Sequence, residues 1–98
     1  MTSELKELLV DKMVENLPTL RKKLKLSQEG LAEYIGTSRY TVLSIESKKR
    51  KMMWSTFLSL ILLFDKNKET SALLKSMDIY TKELDHMLKK PSEDYKNK

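Results

Sequence analysis

Four consecutive basic residues, Lys48-Lys49-Arg50-Lys51, and one more arginine, Arg39, are the side chains in this sequence best placed to act on another molecule. Their chemistry is the donation of charge-assisted hydrogen bonds to anionic oxygens, and an arginine can bridge two acceptors at once. Ser38, Thr41 and Ser44 add small hydroxyls close by, and Tyr40 adds a ring with a polar tip. Nothing comparable points to catalysis. His86 is the only histidine and has no partner at ligand or triad spacing, and no P-loop, nucleophile elbow or HExxH occurs. There is no cysteine, which excludes disulfides, thiolate zinc sites and cysteine nucleophiles. Neither an enzyme nor a metal or other cofactor is expected.

The net charge is +5, but its distribution says more. From Pro18 to Lys51 there are nine Lys/Arg against three acids, Glu29, Glu33 and Glu46, while the remainder has ten bases and eleven acids. The middle third therefore holds all the excess positive charge, as suits a polyanionic partner. The chain has 98 residues, enough for one domain and one modest core. A separate ligand-binding or catalytic domain does not fit beside it. With only two Gly and two Pro, a turn-rich β-sandwich or barrel is excluded. No apolar stretch approaches the roughly 18 residues of a membrane span, and no apolar signal core opens the chain. The reading is a cytoplasmic protein that does not engage membranes.

Helices must position these side chains. Ser3 is read as the N-cap of a first helix to Glu15, with Leu5, Leu8, Leu9, Met13 and Leu17 at three- and four-residue steps. Pro18 favours a kink or a new helix start, giving a second segment to Lys25. Ser27 caps a short helix with the stripe Leu31, Ala32 and Ile35, which Gly36 ends. Ser38 caps the next, with Val42 and Ile45 directed inward. A basic loop, Lys48 to Met53, leads to the almost wholly apolar helix Ser55 to Phe64. The stripe Leu73, Leu74, Met77, Tyr80, Leu84, Met87 and Leu88 then predicts two short helices, about Lys68 to Met77 and Lys82 to Lys89. Pro91 stops the last helix before a polar tail.

The stretch Leu26 to Glu46, LSQEGLAEYIGTSRYTVLSIE, resembles the helix-turn-helix of the lambda-repressor-like (Xre) family of bacterial and phage DNA-binding proteins. The likeness is carried by Ser27-Gln28, Leu31-Ala32, Ile35-Gly36, Ser38, Val42, Ile45 and Glu46. It extends over the motif core, about residues 17–64. Ala32 is small where two helices cross, and Gly36 tolerates the positive φ of the turn. Three positions depart from the family pattern: Gly30 replaces a good helix former, Ser47-Lys48 replaces an Asn-Gly turn, and Leu43 replaces a polar residue. The expected fold is all-α: a lambda-repressor-like helix-turn-helix core, an extra N-terminal helix, and one or two C-terminal helices at about 67–90, with the tail at 91–98.

The resemblance implies sequence-specific binding of double-stranded DNA by a transcriptional regulator, with the helix Ser38 to Glu46 in the major groove. Arg39 would read guanine, Tyr40 a thymine methyl or a phosphate, and Thr37, Ser38, Thr41 and Ser44 would line the same outward face. Gln28 would meet a phosphate at the start of the first motif helix, and Lys48, Lys49, Arg50 and Lys51 would follow the backbone. It also implies a pair between Arg21 and Glu46. One recognition helix covers few base pairs, so a homodimer is expected, using apolar surface at Leu5, Leu9 and Met13 and from Leu73 to Leu88. The alternative reading is a protein-interaction module, such as an antitoxin-like component, whose terminal helices bind a partner protein.

Overall fold

The computed structural model describes residues 1–89; Lys90, Pro91 and the tail at 92–98, read above as polar, lie outside the described residues. Six helices follow in order: α1 Ser3–Lys23, α2 Gln28–Ile35, α3 Arg39–Glu46, α4 Trp54–Lys66, α5 Lys68–Ser76 and α6 Lys82–Lys89. The described residues contain no strand, and the fold is all-α.

Two expectations at the N-terminus are corrected. The cap of α1 is Thr2, not Ser3: its backbone is extended and its Oγ1 accepts the Leu5 N–H at 3.1 Å. More consequentially, Pro18 neither breaks the helix nor starts another; α1 runs unbroken through it. A proline inside a helix removes one hydrogen bond and costs about 3 kcal/mol. Here Leu9, Val10, Met13 and Leu17 before it and Leu20 and Arg21 after it are all buried. Each buried aliphatic side chain contributes about 1.5–3 kcal/mol. Keeping both halves of α1 on the core outweighs the lost bond.

Four of the helices end by one device. Lys25, Gly36, Lys48 and Asp78, with φ of 58°, 74°, 63° and 56°, each take the left-handed conformation just past a helix. The chain then folds back, so that Leu26 N–H reaches Arg21 C=O, Thr37 reaches Ala32, Lys49 reaches Ser44 and Ile79 reaches Leu74, at 2.9–3.2 Å. Only one of the four positions is a glycine. The others accept a backbone cost of about 1–2 kcal/mol, less for Asp. The α4–α5 junction works differently: Asn67 Nδ2 donates to Leu63 C=O at 2.8 Å, and the fully buried Thr70 hydroxyl donates to Phe64 C=O at 2.6 Å. Thr81 Oγ1 caps α6 by accepting the Leu84 N–H at 3.2 Å.

One core joins the helices. Leu9, Met13, Leu17 and Leu20 of α1 meet Leu31 and Ala32 of α2, Val42 and Ile45 of α3, Phe57, Leu60 and Phe64 of α4, Leu74 of α5 and Leu84 of α6. Met52, in the basic loop, and Ile79, between α5 and α6, are buried in it too. The apolar surface assigned above to a dimer is therefore largely consumed within one chain, because α5 packs on both α1 and α4. Leu9, Met13, Leu74 and Leu84 are fully buried; Leu8, Leu62 and Leu88 remain outside.

Two substitutions test these ends. Thr70→Val keeps the side-chain shape but leaves the Phe64 carbonyl without its buried donor, and is expected to lower unfolding free energy by about 1–3 kcal/mol. A Cβ on Gly36 would touch nothing within 4 Å, so Gly36→Ala isolates the backbone cost, expected at about 1 kcal/mol. Urea unfolding of both variants measures these losses.

Candidate nucleic-acid interface

Beneath the surface formed by α2, α3 and the following loop lies a charged pair. Glu46 is the last residue of α3, where the negative end of the helix dipole already disfavours a carboxylate. Arg21, near the end of α1, compensates: its Nε donates to Glu46 Oε2 at 2.8 Å and its Nη2 to Oε1 at 3.0 Å. The two side chains are only 10% and 8% exposed. Arg21 Nη1 also donates to Leu26 C=O at 2.9 Å, and Gln28 Nε2 donates to Glu46 Oε1 at 3.1 Å. The residue pairing implied by the resemblance is thus present as a bidentate contact, and it ties α1, the α1–α2 link, α2 and α3 together. Burial works against the charged form of Glu46, but the hydrogen bonds from Arg21 and Gln28 and the charges of Arg21 and Lys22 prevail. They hold its carboxyl below the ordinary glutamate range.

This network corrects the expectation for Gln28. Its amide is directed at Glu46 rather than outward, because a buried carboxylate with two oxygens offers a stronger acceptor than water. Ser44 is corrected as well: it is buried, not on the outer face. The chain beyond α3 turns back over it, with Lys49 and Arg50 N–H both bonded to its carbonyl at 2.9 and 3.2 Å and the Ser47 hydroxyl at 3.3 Å.

What faces outward is the first turn of α3. Ser38 caps it, its Oγ accepting the Thr41 N–H at 3.1 Å and lying 3.0 Å from Thr41 Oγ1. Arg39 is exposed and makes no hydrogen bond or ion pair with the other described residues. Tyr40 is 67% exposed, and Leu43, one turn on, is also exposed. Thr37 is half-buried behind them. Tyr34 at the end of α2, unmarked by the sequence reading, is as exposed as Tyr40.

The basic loop does not behave as one unit. Arg50 turns to α3: its Nη1 donates to Thr41 Oγ1 at 2.9 Å and its guanidinium lies 5.9 Å from the centre of the Tyr40 ring. Lys49 is exposed without a partner among the described residues. Lys48 and Lys51 turn the other way, to α1, where they pair with Glu15 and Glu7. Of the four cations expected to follow a phosphate backbone, two thus lie against carboxylates of α1 in this structure. The acids were the missing signal: Glu7, Asp11 and Glu15 recur every four residues along α1.

Among the described residues no group of His, Asp and Glu is arranged to hold a metal ion, and no helix is long and apolar enough to cross a membrane. Comparison of the chain with models of protein families, with curated proteins and with solved structures gave no match.

The buried pair sets a stability prediction. In a double-mutant cycle of Arg21→Met and Glu46→Gln, the coupling energy is expected at about 1–3 kcal/mol near neutral pH. Because the folded-state pKa of Glu46 is depressed, its contribution is fully present above the ordinary glutamate value and is lost as pH falls from there through the lower folded-state value. The stability gap between wild type and Glu46→Gln should therefore shrink in acid. A gap that is the same at neutral pH and at about pH 3 would reject the pair as the source.

Proposed function

We propose that this protein binds double-stranded DNA in a sequence-dependent way and acts as a lambda-repressor-like transcriptional regulator, with α2 and α3 as its helix-turn-helix. The observation that carries the reading is the free first turn of α3. Arg39 and Tyr40 stand exposed there, beside Lys49 and Arg50, on a helix held from behind by Arg21 and Glu46. In the major groove Arg39 would bridge O6 and N7 of a guanine, and Tyr40 and Leu43 would offer apolar surface to thymine methyls. Lys49 and Arg50 would hold the adjacent phosphates and fix the register of α3. Repression by occupying an operator is the simplest mode of action for a helix-turn-helix of this kind. Residues from Leu26 to Glu46 and the charge of the middle third support this assignment.

An α3 of eight residues covers few base pairs, so two copies on a two-fold site belong to the proposal. A second reading, docking to a partner protein, draws on the exposed Leu62 of α4 and Leu88 of α6, which border a groove lined by Leu58, Ile61 and Tyr80. Sedimentation of the purified protein separates the two. A concentration-dependent shift above 11.5 kDa supports pairing of copies, and a monomer that leaves a single half-site footprint removes it.

Selection of bound sequences from random duplex DNA is the direct test, and recovery of no motif would overturn the assignment. Arg39→Ala is expected to relax preference at one base position by about 1–3 kcal/mol. Lys49→Gln with Arg50→Gln is expected to weaken binding to all sequences alike and to make the salt dependence shallower by roughly 1–2 in log–log slope.

A further inference from the structure

We propose that Glu7 and Glu15 on α1 are built-in competitors for phosphate, so that Lys48 and Lys51 engage a nucleic-acid backbone only by exchanging a carboxylate for it. This rests on the DNA-binding reading above for the identity of the polyanion. The two pairs, Lys48–Glu15 and Lys51–Glu7 at 3.1 Å, run antiparallel: the loop passes along α1 from its middle towards its N-terminus. Eight residues of helix separate the two acids, a rise of about 12 Å. Three residues separate the two lysines, a reach of at most about 10 Å along the chain. The long lysine stems cover the difference, so both contacts form together. Asp11 lies between the acids on the same stripe and lines the groove between α1 and the loop.

The pairs are suited to exchange rather than to holding the fold. All four side chains are more than half exposed, where ion pairs are weak and salt-screened. Lys48 also sits in a left-handed conformation that a glycine would adopt at less cost, so the helix end does not require a lysine there. The side chain, not the backbone, gives the residue its use, and Glu15 is what it touches. A lysine already facing a carboxylate releases fewer counterions when it meets a phosphate. Sequence-independent affinity is thereby held below what four adjacent cations would give, while Arg39 and Tyr40, remote from the acids along the chain and unpaired with them, are unaffected.

The test is the double variant Glu7→Gln/Glu15→Gln, titrated with mixed-sequence duplex DNA and, in parallel, with inorganic polyphosphate. Glu69→Gln/Glu83→Gln, on α5 and α6, makes the same change in net charge away from the loop. The α1 variant is expected to bind both polyanions about three- to tenfold more tightly at low salt, with a salt slope steeper by roughly 1–2. Equal gains in both variants would reduce the effect to net charge and overturn the proposal. Unchanged or weaker binding by the α1 variant would overturn it too, showing that the acids pre-position the lysines or do nothing. If polyphosphate binding rises as expected while no form of the protein binds duplex DNA, the exchange stands and the DNA assignment falls.

Discussion

The contact between Arg21 and Glu46 is the constraint on which the rest of the structure depends. A carboxylate at the end of a helix is poorly placed with respect to the dipole, and burying it adds a desolvation cost. Arginine answers both through a planar fork that satisfies two oxygens in one fixed orientation. Because Arg21 also holds the Leu26 carbonyl and Glu46 also receives Gln28, the pair sets how three helices meet. An apolar replacement of the same volume could bind the helices as tightly, but it would leave their relative rotation to side-chain packing alone. What the pair supplies is the angle at which α3 presents its first turn.

That presentation is supported by helix ends that rely little on glycine. Four helices close with a left-handed residue, and at three of them it is Lys or Asp. The strain is tolerated because the residue that follows is anchored: Ile79 is fully buried, Leu26 packs against the core, and Lys49 N–H is fixed on the Ser44 carbonyl. The same turn that buries Ser44 divides the basic loop, carrying Lys48 and Lys51 towards α1 and Arg50 towards α3. One backbone feature thus decides both which hydroxyls remain on the outer face and which cations accompany them. The Tyr80 hydroxyl, pushed up to about 12 by burial and by its hydrogen bond to Asp85, fastens the start of α6 in a comparable way, with a neutral donor on a carboxylate.

Much of this is legible in the residues themselves. The helical periodicity of the apolar positions, the caps Ser27 and Ser38, the glycine turn at Gly36 and the division of the C-terminal stripe into α5 and α6 all follow from local rules, because they depend on neighbours within about four residues. So does the excess of positive charge between Pro18 and Lys51. The all-α class required only these signals and the scarcity of turn residues.

Tertiary packing decided the rest, and in each case the reason is a contact between residues far apart in the chain. Pro18 stayed inside a helix because the apolar residues on both sides of it share one core. Leu9, Met13, Leu74 and Leu84, which periodicity marks only as apolar, went into that core and not to a second copy, because α5 folds back onto α1 and α4. Gln28 turned to Glu46 and Ser44 went under the returning chain, although nothing in their local sequence distinguishes them from outward-facing residues. The run Lys48-Lys49-Arg50-Lys51 reads as a single patch of charge. Charge has no direction in a sequence, and the turn over Ser44 together with the position of Glu7 and Glu15 across the groove splits it in two.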